Sequence, residues 1–136
     1  MSKQNLPRLL IADDERNISE GLQMLLQEDG YDVDAATDGE EAWEQLSSGE
    51  YGLVLADLNM PRLDGLELFA RMRDQSIDSE IIIISGQGTV DSAVEAMRHG
   101  AYDYLTKPLD LEQFTRVVQA IEEFWVTVVR LPTGKP

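Results

Sequence analysis

The stretch "RLLIADDERN", residues 8–17, runs Leu9, Leu10, Ile11 and Ala12 straight into two adjacent aspartates, Asp13 and Asp14. An unbroken apolar run of this kind reads as a strand covered on both faces, the condition of a parallel sheet. The two aspartates then stand at the strand's carboxyl end, where like charges need a reason to meet. Working outward, the pattern recurs. "GLVLA" at 52–56 runs into Asp57, "EIIIIS" at 80–85 closes on Ser85, and "YDYL" at 102–105 is followed shortly by Lys107. "DVDAA" at 32–36 is more polar and reads as a strand nearer an edge.

Helical periodicity fills the intervals. Ile18, Leu22, Leu25 and Leu26 share one face of a first helix, which Gly30 ends. Ala42 and Leu46 mark a second helix starting near Asp38, and Gly65, Leu68, Phe69 and Met72 a third after the turn at "MPRLDG". Val90, Ala93, Val94 and Met97 mark a fourth, with Gly100 as its stop. Leu111, Phe114, Val118 and Ile121 mark a fifth, with Asp110 as its N-cap. The fold class is therefore α/β: a five-stranded parallel sheet with helices on both faces, (βα)5 and doubly wound, with right-handed crossovers. Ligands of such sheets bind beyond the carboxyl ends of the strands.

Composition narrows the function. The 136 residues fit one domain, and a hydrophobic fraction of 43% is that of a globular chain. There is no cysteine and a single histidine, His99, so thiolate chemistry and multi-histidine metal sites are excluded. A formal charge of −15 speaks against direct nucleic-acid binding. No apolar run is long enough for a membrane span, and the polar start "MSKQNLPR" lacks a signal-peptide core, so a cytoplasmic location is expected.

Asp13, Asp14, Asp57, Ser85 and Lys107 all fall at one rim of the expected sheet. Carboxylates in close contact repel by about 4 kcal/mol per pair at an effective dielectric near 20. Lys107 brings one positive charge against three negative ones. Hard oxygen donors with open positions suit Mg²⁺, with Mn²⁺ as a substitute. A lone aspartate after a strand is ordinarily a helix N-cap. That account serves Asp13 alone, but it does not cover the whole set, and Lys107 caps nothing.

The segments "IADDE", "LVLADLNMPRLDGLEL", "IIIISGQGT" and "AYDYLTKPLD" resemble the receiver domain of two-component response regulators, a flavodoxin/CheY-like fold. The resemblance spans residues 7–123, and "SGQGTVDSAVEAMRHGAYDYLTKP" is most similar to receivers of the nitrogen-regulator (NtrC-like) type. It implies a phosphorylation-activated switch, with a sensor histidine kinase as partner and Asp57 as phosphoacceptor. Asp14, Asp57 and the backbone carbonyl of Asn59 are the implied direct Mg²⁺ ligands, with Asp13 acting through water. Lys107 and the Ser85 hydroxyl are implied to contact phosphoryl oxygens, and the Gly86 amide to donate to one. Tyr104 takes the switch-aromatic position, and Lys107–Pro108 the place of a cis peptide. A change of the surface formed by the fourth helix, fifth strand and fifth helix is expected to be the output, and that surface is a candidate for a homodimer. Self-catalysed phosphotransfer and slow self-dephosphorylation are implied, without turnover of a separate substrate.

The boundaries expected are a tail at 1–7, the receiver at 8–123, and at 124–136 an extended last helix, a linker or added residues. NtrC-like receivers precede an ATPase and a DNA-binding domain, so an output domain is expected outside this chain. Two other readings fit less well. A haloacid-dehalogenase-like phosphatase needs an acid two residues after its aspartate, where this chain has Asn59. A phosphorylation-independent receiver would lack the acceptor or the lysine. "GQGTVD" is no dinucleotide fingerprint, because Asp91 stands where a third glycine belongs.

Overall fold

In a computed structural model, which describes residues 8–49, 51–86 and 90–106, the apolar runs become the strands of one parallel sheet. These are β1 (Arg8–Ala12), β2 (Val33–Ala36), β3 (Tyr51–Asp57), β4 (Glu80–Ser85) and β5 (Asp103–Thr106), ordered β2-β1-β3-β4-β5. The chain leaves β1 for β2 on one side, then crosses back to β3 on the other. The β1/β3 boundary is thus the topological switch point, where a doubly wound sheet opens a crevice.

Alternation of side chains explains why the inner strands are apolar throughout. Leu9, Ile11, Leu53, Leu55, Ile82 and Ile84 join one buried cluster, packed by Leu22 and Leu26 of α1 (Arg16–Glu28). Leu10, Val54, Ile81 and Ile83 join the other. That second face is covered by α2 (Gly39–Ser48), α3 (Gly65–Asp74) and α4 (Val90–Arg98). Each of these side chains contributes about 1.5–3 kcal/mol by leaving water.

The helix starts follow local chemistry. Asp38 caps α2 by accepting from the Glu41 N–H. Asp64 and Glu67 form a reciprocal capping box at α3. Gly30 and Gly100 follow α1 and α4 at φ 98° and 104°, as helix-ending glycines do.

Two helix faces differ from the expected ones. Leu25 is 47% exposed, because the stripe of α1 that meets the sheet is one residue narrower than its apolar run. On α4 the buried residue among those described is Ala96, while Val94 and Met97 face outward at 44% and 46% exposure. This helix seats its small side chain on the sheet and turns two larger apolar ones away. The fifth helix, Lys107, Pro108 and the terminal segments lie outside the described residues.

At the amino-end rim, Arg8 pairs with Asp32 and Asp34 and lies 5.5 Å from the centre of the Tyr51 ring. The Tyr51 hydroxyl donates to Asp34 Oδ2 at 2.6 Å. Burial, then the Asp34 carboxylate beside it, push the phenol up to about 12. The folded value exceeds the unfolded one, so this group's contribution is intact below about pH 10 and lost as pH rises toward 12. Urea unfolding between pH 9 and about 12 should show wild type losing more stability than Tyr51→Phe. Parallel curves would refute the assignment.

Candidate functional site

The strand ends deliver the acidic residues in a definite order. β1 stops at Ala12, but the Asp13 N–H still reaches the Ala36 carbonyl at 3.0 Å, extending the ladder toward β2 by one step. The Asp13 carboxylate then folds back and accepts the Glu15 N–H at 2.8 Å. Glu15 is the N-cap residue of α1 and makes no side-chain cap bond of its own. Asp13 therefore shapes the entry into α1 without being its N-cap, and the capping account of this residue is only half right.

Asp57 is the last residue of β3. Next to it, the Leu58 N–H donates to the Ile84 carbonyl at 2.8 Å, and the Asn59 N–H donates to Asp57 Oδ1 at 3.2 Å. Asp13 and Asp57 are buried, at 2% and 4% exposure, whereas Asp14 is open to solvent. One carboxylate oxygen from each of the three lies within 4.8 Å of the others.

At that separation each pair of charges repels by roughly 3–4 kcal/mol at a dielectric near 20. A cation among the oxygens reverses the sign. The donors are all hard carboxylate oxygens, one of them solvent-facing, so the set fits Mg²⁺ or Mn²⁺ and leaves room for water or phosphate. His99, the one imidazole, follows the carboxyl end of α4, where its carbonyl accepts from Arg73 at 2.7 Å.

The other expected residues are placed as follows. Ser85 ends β4 fully buried, one step past Ile84, the partner of Asp57 across the ladder. Asp57 and Ser85 thus close neighbouring strands at the same rim. Asn59 and Gly86 are exposed beyond the ends of β3 and β4. Tyr104 is half-buried on β5 and packs against the core cluster on the α2–α4 side. Lys107 and Pro108, expected at the site, lie outside the described residues.

Three residues around the site were not singled out by sequence. Gly65, read from the sequence only as part of the turn and of the third helix's face, packs so closely that a Cβ there would lie 2.6 Å from the Asp57 carbonyl oxygen. Gly39 packs more tightly still on the loop after β3, against Leu63. Arg62, in that loop, takes φ 71°, a left-handed conformation costing about 1–2 kcal/mol for a residue with a side chain. A glycine after a capping aspartate was the only hint in the sequence of the Gly39 contact.

Among known proteins, the family model "Response regulator receiver domain" matches residues 9–119. The transcriptional regulatory protein DltR of Streptococcus agalactiae is 37% identical over 106 residues, 78% of this chain and 47% of that protein. The chain therefore spans about half the length of the curated relatives it matches. Among solved structures, the receiver domain of Francisella response regulator 1452 is 33% identical with a TM-score of 0.76, over 86% of this chain and 98% of that one. Response regulator TrrA of Thermotoga maritima, solved in complex with Mg²⁺ and BeF, is 35% identical with a TM-score of 0.71, over 84% and 97%.

The crowding of charge has a measurable consequence. With metal removed by chelator, Asp57→Asn should raise the unfolding free energy by about 1–3 kcal/mol in a urea titration, because it removes the repulsion with both neighbours. Added Mg²⁺ should stabilise wild type and leave the variant nearly unchanged. A variant less stable than wild type under chelation would contradict the account.

Proposed function

The chain belongs to the response regulator receiver family, and from that premise we propose that it is a Mg²⁺-dependent phosphoacceptor switched by a sensor histidine kinase, with Asp57 as the acceptor. The observation that carries this reading is the carboxylate trio, with Asp57 buried at the end of the central strand and one oxygen from each residue within 4.8 Å. Receiver domains are signalling modules, so transfer to Asp57 is the chemistry and turnover of a separate substrate is not.

In the transfer, an Asp57 carboxylate oxygen forms a bond to the phosphorus of a kinase phosphohistidine while the nitrogen–phosphorus bond breaks. The imidazole leaves with the electron pair. Such a reaction asks for in-line positioning and for neutralised charge on the equatorial oxygens. Asp14, Asp57 and the Asn59 carbonyl, with Asp13 through water, would hold Mg²⁺, which would supply part of that neutralisation. Lys107, the Ser85 hydroxyl and the Gly86 amide supply the rest. The Asn59 N–H on Asp57 Oδ1 orients the acceptor. The acyl phosphate formed is reactive, and its slow hydrolysis resets the switch.

In the output step, a dianion on Asp57 draws Ser85 toward it and opens space for Tyr104, re-packing the α4–β5 side and the fifth helix. The outward Val94 and Met97 give that side apolar area for a homodimer. The remaining readings follow from these. We assign residues 1–7 to a tail, 124–136 to an extension of the last helix, a linker or added residues, and 8–123 to the receiver. It serves a larger transcriptional regulator in the cytoplasm. The nitrogen-regulator subtype rests on "SGQGTVDSAVEAMRHGAYDYLTKP" alone, while the curated relatives matched carry other names, DltR, QseB and MprA among them. Among the described residues no helix is long and apolar enough to cross a membrane.

Intact-mass analysis after treatment with a small phosphodonor and Mg²⁺ tests the central step. One added phosphoryl group is expected, absent in Asp57→Asn and absent under chelator. Labelling that persists in Asp57→Asn would overturn the assignment. Ser85→Ala should still be labelled yet lose the phosphorylation-dependent change in Tyr104 resonances. An unaltered Tyr104 response would disprove the coupling.

A further inference from the structure

The metal-binding oxygens come from two separate segments. Asp13 and Asp14 follow β1, while Asp57 and Asn59 belong to the end of β3 and the loop beyond it. The β2–α2 junction, Thr37 and Asp38 with Gly39 at the start of α2, adds no carboxylate to the trio, yet it touches both segments. On one side, the residue before it, Ala36, accepts the Asp13 N–H at 3.0 Å. On the other, Gly39 is buried against the β3–α3 loop, its N–H 3.5 Å from the Pro61 carbonyl. A Cβ at Gly39 would lie 1.9 Å from the Leu63 carbonyl oxygen and 2.4 Å from Leu63 Cβ.

The connection is also closed on itself. The Thr37 N–H and hydroxyl both donate to Glu41 Oε1, at 2.6 and 3.2 Å, and the Glu41 N–H donates to Asp38 Oδ1 at 2.8 Å. Asp38 in turn pairs at 3.5 Å with Arg62, the residue in left-handed conformation. The far end of the same loop is pinned at Gly65, whose N–H donates to the Leu58 carbonyl at 3.0 Å and whose Cα abuts the Asp57 backbone.

We propose that Thr37–Gly39 is a strut that sets the spacing between the two ligand-bearing segments, with Gly39 as a positioning residue for the metal site. The inference rests on the reading of that site as a Mg²⁺-dependent phosphoacceptor. A methyl group on Gly39 meets backbone, which cannot swing aside as a flexible side chain does. The loop must move by about an ångström to restore contact distance. With Gly65 fixed, that movement passes to Asn59, two residues before Pro61, and to the carboxylate its N–H holds.

The test compares Mg²⁺ affinity with stability. Gly39→Ala should weaken Mg²⁺ binding by about tenfold or more in a calorimetric titration of the folded protein, within the range seen when groups behind metal ligands are altered. Saturating Mg²⁺ should restore its rate of Asp57 labelling. Asp38→Ala, which frees the connection without adding bulk, should shift affinity in the same direction by a smaller factor. Leu26→Ala, a core truncation on α1, should lower Tm and leave Mg²⁺ affinity unchanged. The proposal is overturned if Gly39→Ala and Asp38→Ala both bind Mg²⁺ within about twofold of wild type, since displaced ligand-supporting groups cost more than that. Should Gly39→Ala fail to fold, Asp38→Ala alone decides. A wild-type protein that binds no Mg²⁺ or takes no phosphoryl group would instead strike the proposed function itself.

Discussion

Mutual repulsion among Asp13, Asp14 and Asp57 is the constraint around which the rest of the molecule is arranged. Two of the three are almost wholly buried, so water cannot screen them as it screens surface charges. Their closeness is imposed by the parallel register of β1 and β3, in which Ala12 stands opposite Ala56 and the next residues are the aspartates. The sheet's apolar faces stabilise that register whatever the charges prefer. Folding energy from Leu, Ile and Val side chains thus holds an electrostatically unfavourable cluster together.

The same constraint explains the loops. A carboxylate at a strand end is useful only if the backbone beyond it turns at a fixed angle. Here each buried aspartate accepts a backbone N–H two residues on, Glu15 for Asp13 and Asn59 for Asp57. The repetition follows from geometry: both chains leave a parallel strand and must reverse toward a helix. Asp14 has no such burial, and its exposure leaves one side of the cluster open to solvent.

The architecture was legible because apolar runs and helical stripes report burial directly. "EIIIIS" became β4 over 80–85, the second helix started at Asp38 as expected, and "DVDAA" contributed the edge strand β2. Strand-end aspartates were legible for the same reason, since a strand's direction fixes which end of the sheet they share. Legibility failed where a contact depends on residues distant in sequence. Leu25 and Met97 sit in helical stripes, and only the width of the packed face decides that they are exposed. Gly39 drew no notice in the sequence, because Leu63, the group that requires it to be glycine, belongs to another loop. Ala96 was not among the residues marking the fourth helix, although it is the one buried against the core and its small size lets α4 lie close to the sheet.

The claim that a divalent cation sits among these three carboxylates is tested most directly by paramagnetic broadening with Mn²⁺ in a substoichiometric NMR titration. The account predicts that amide signals of residues 12–14 and 57–59 vanish first, while those near Arg8 and His99, at the opposite rim, persist. Broadening spread evenly over the acidic surface, or none at the β1 and β3 ends, would contradict it.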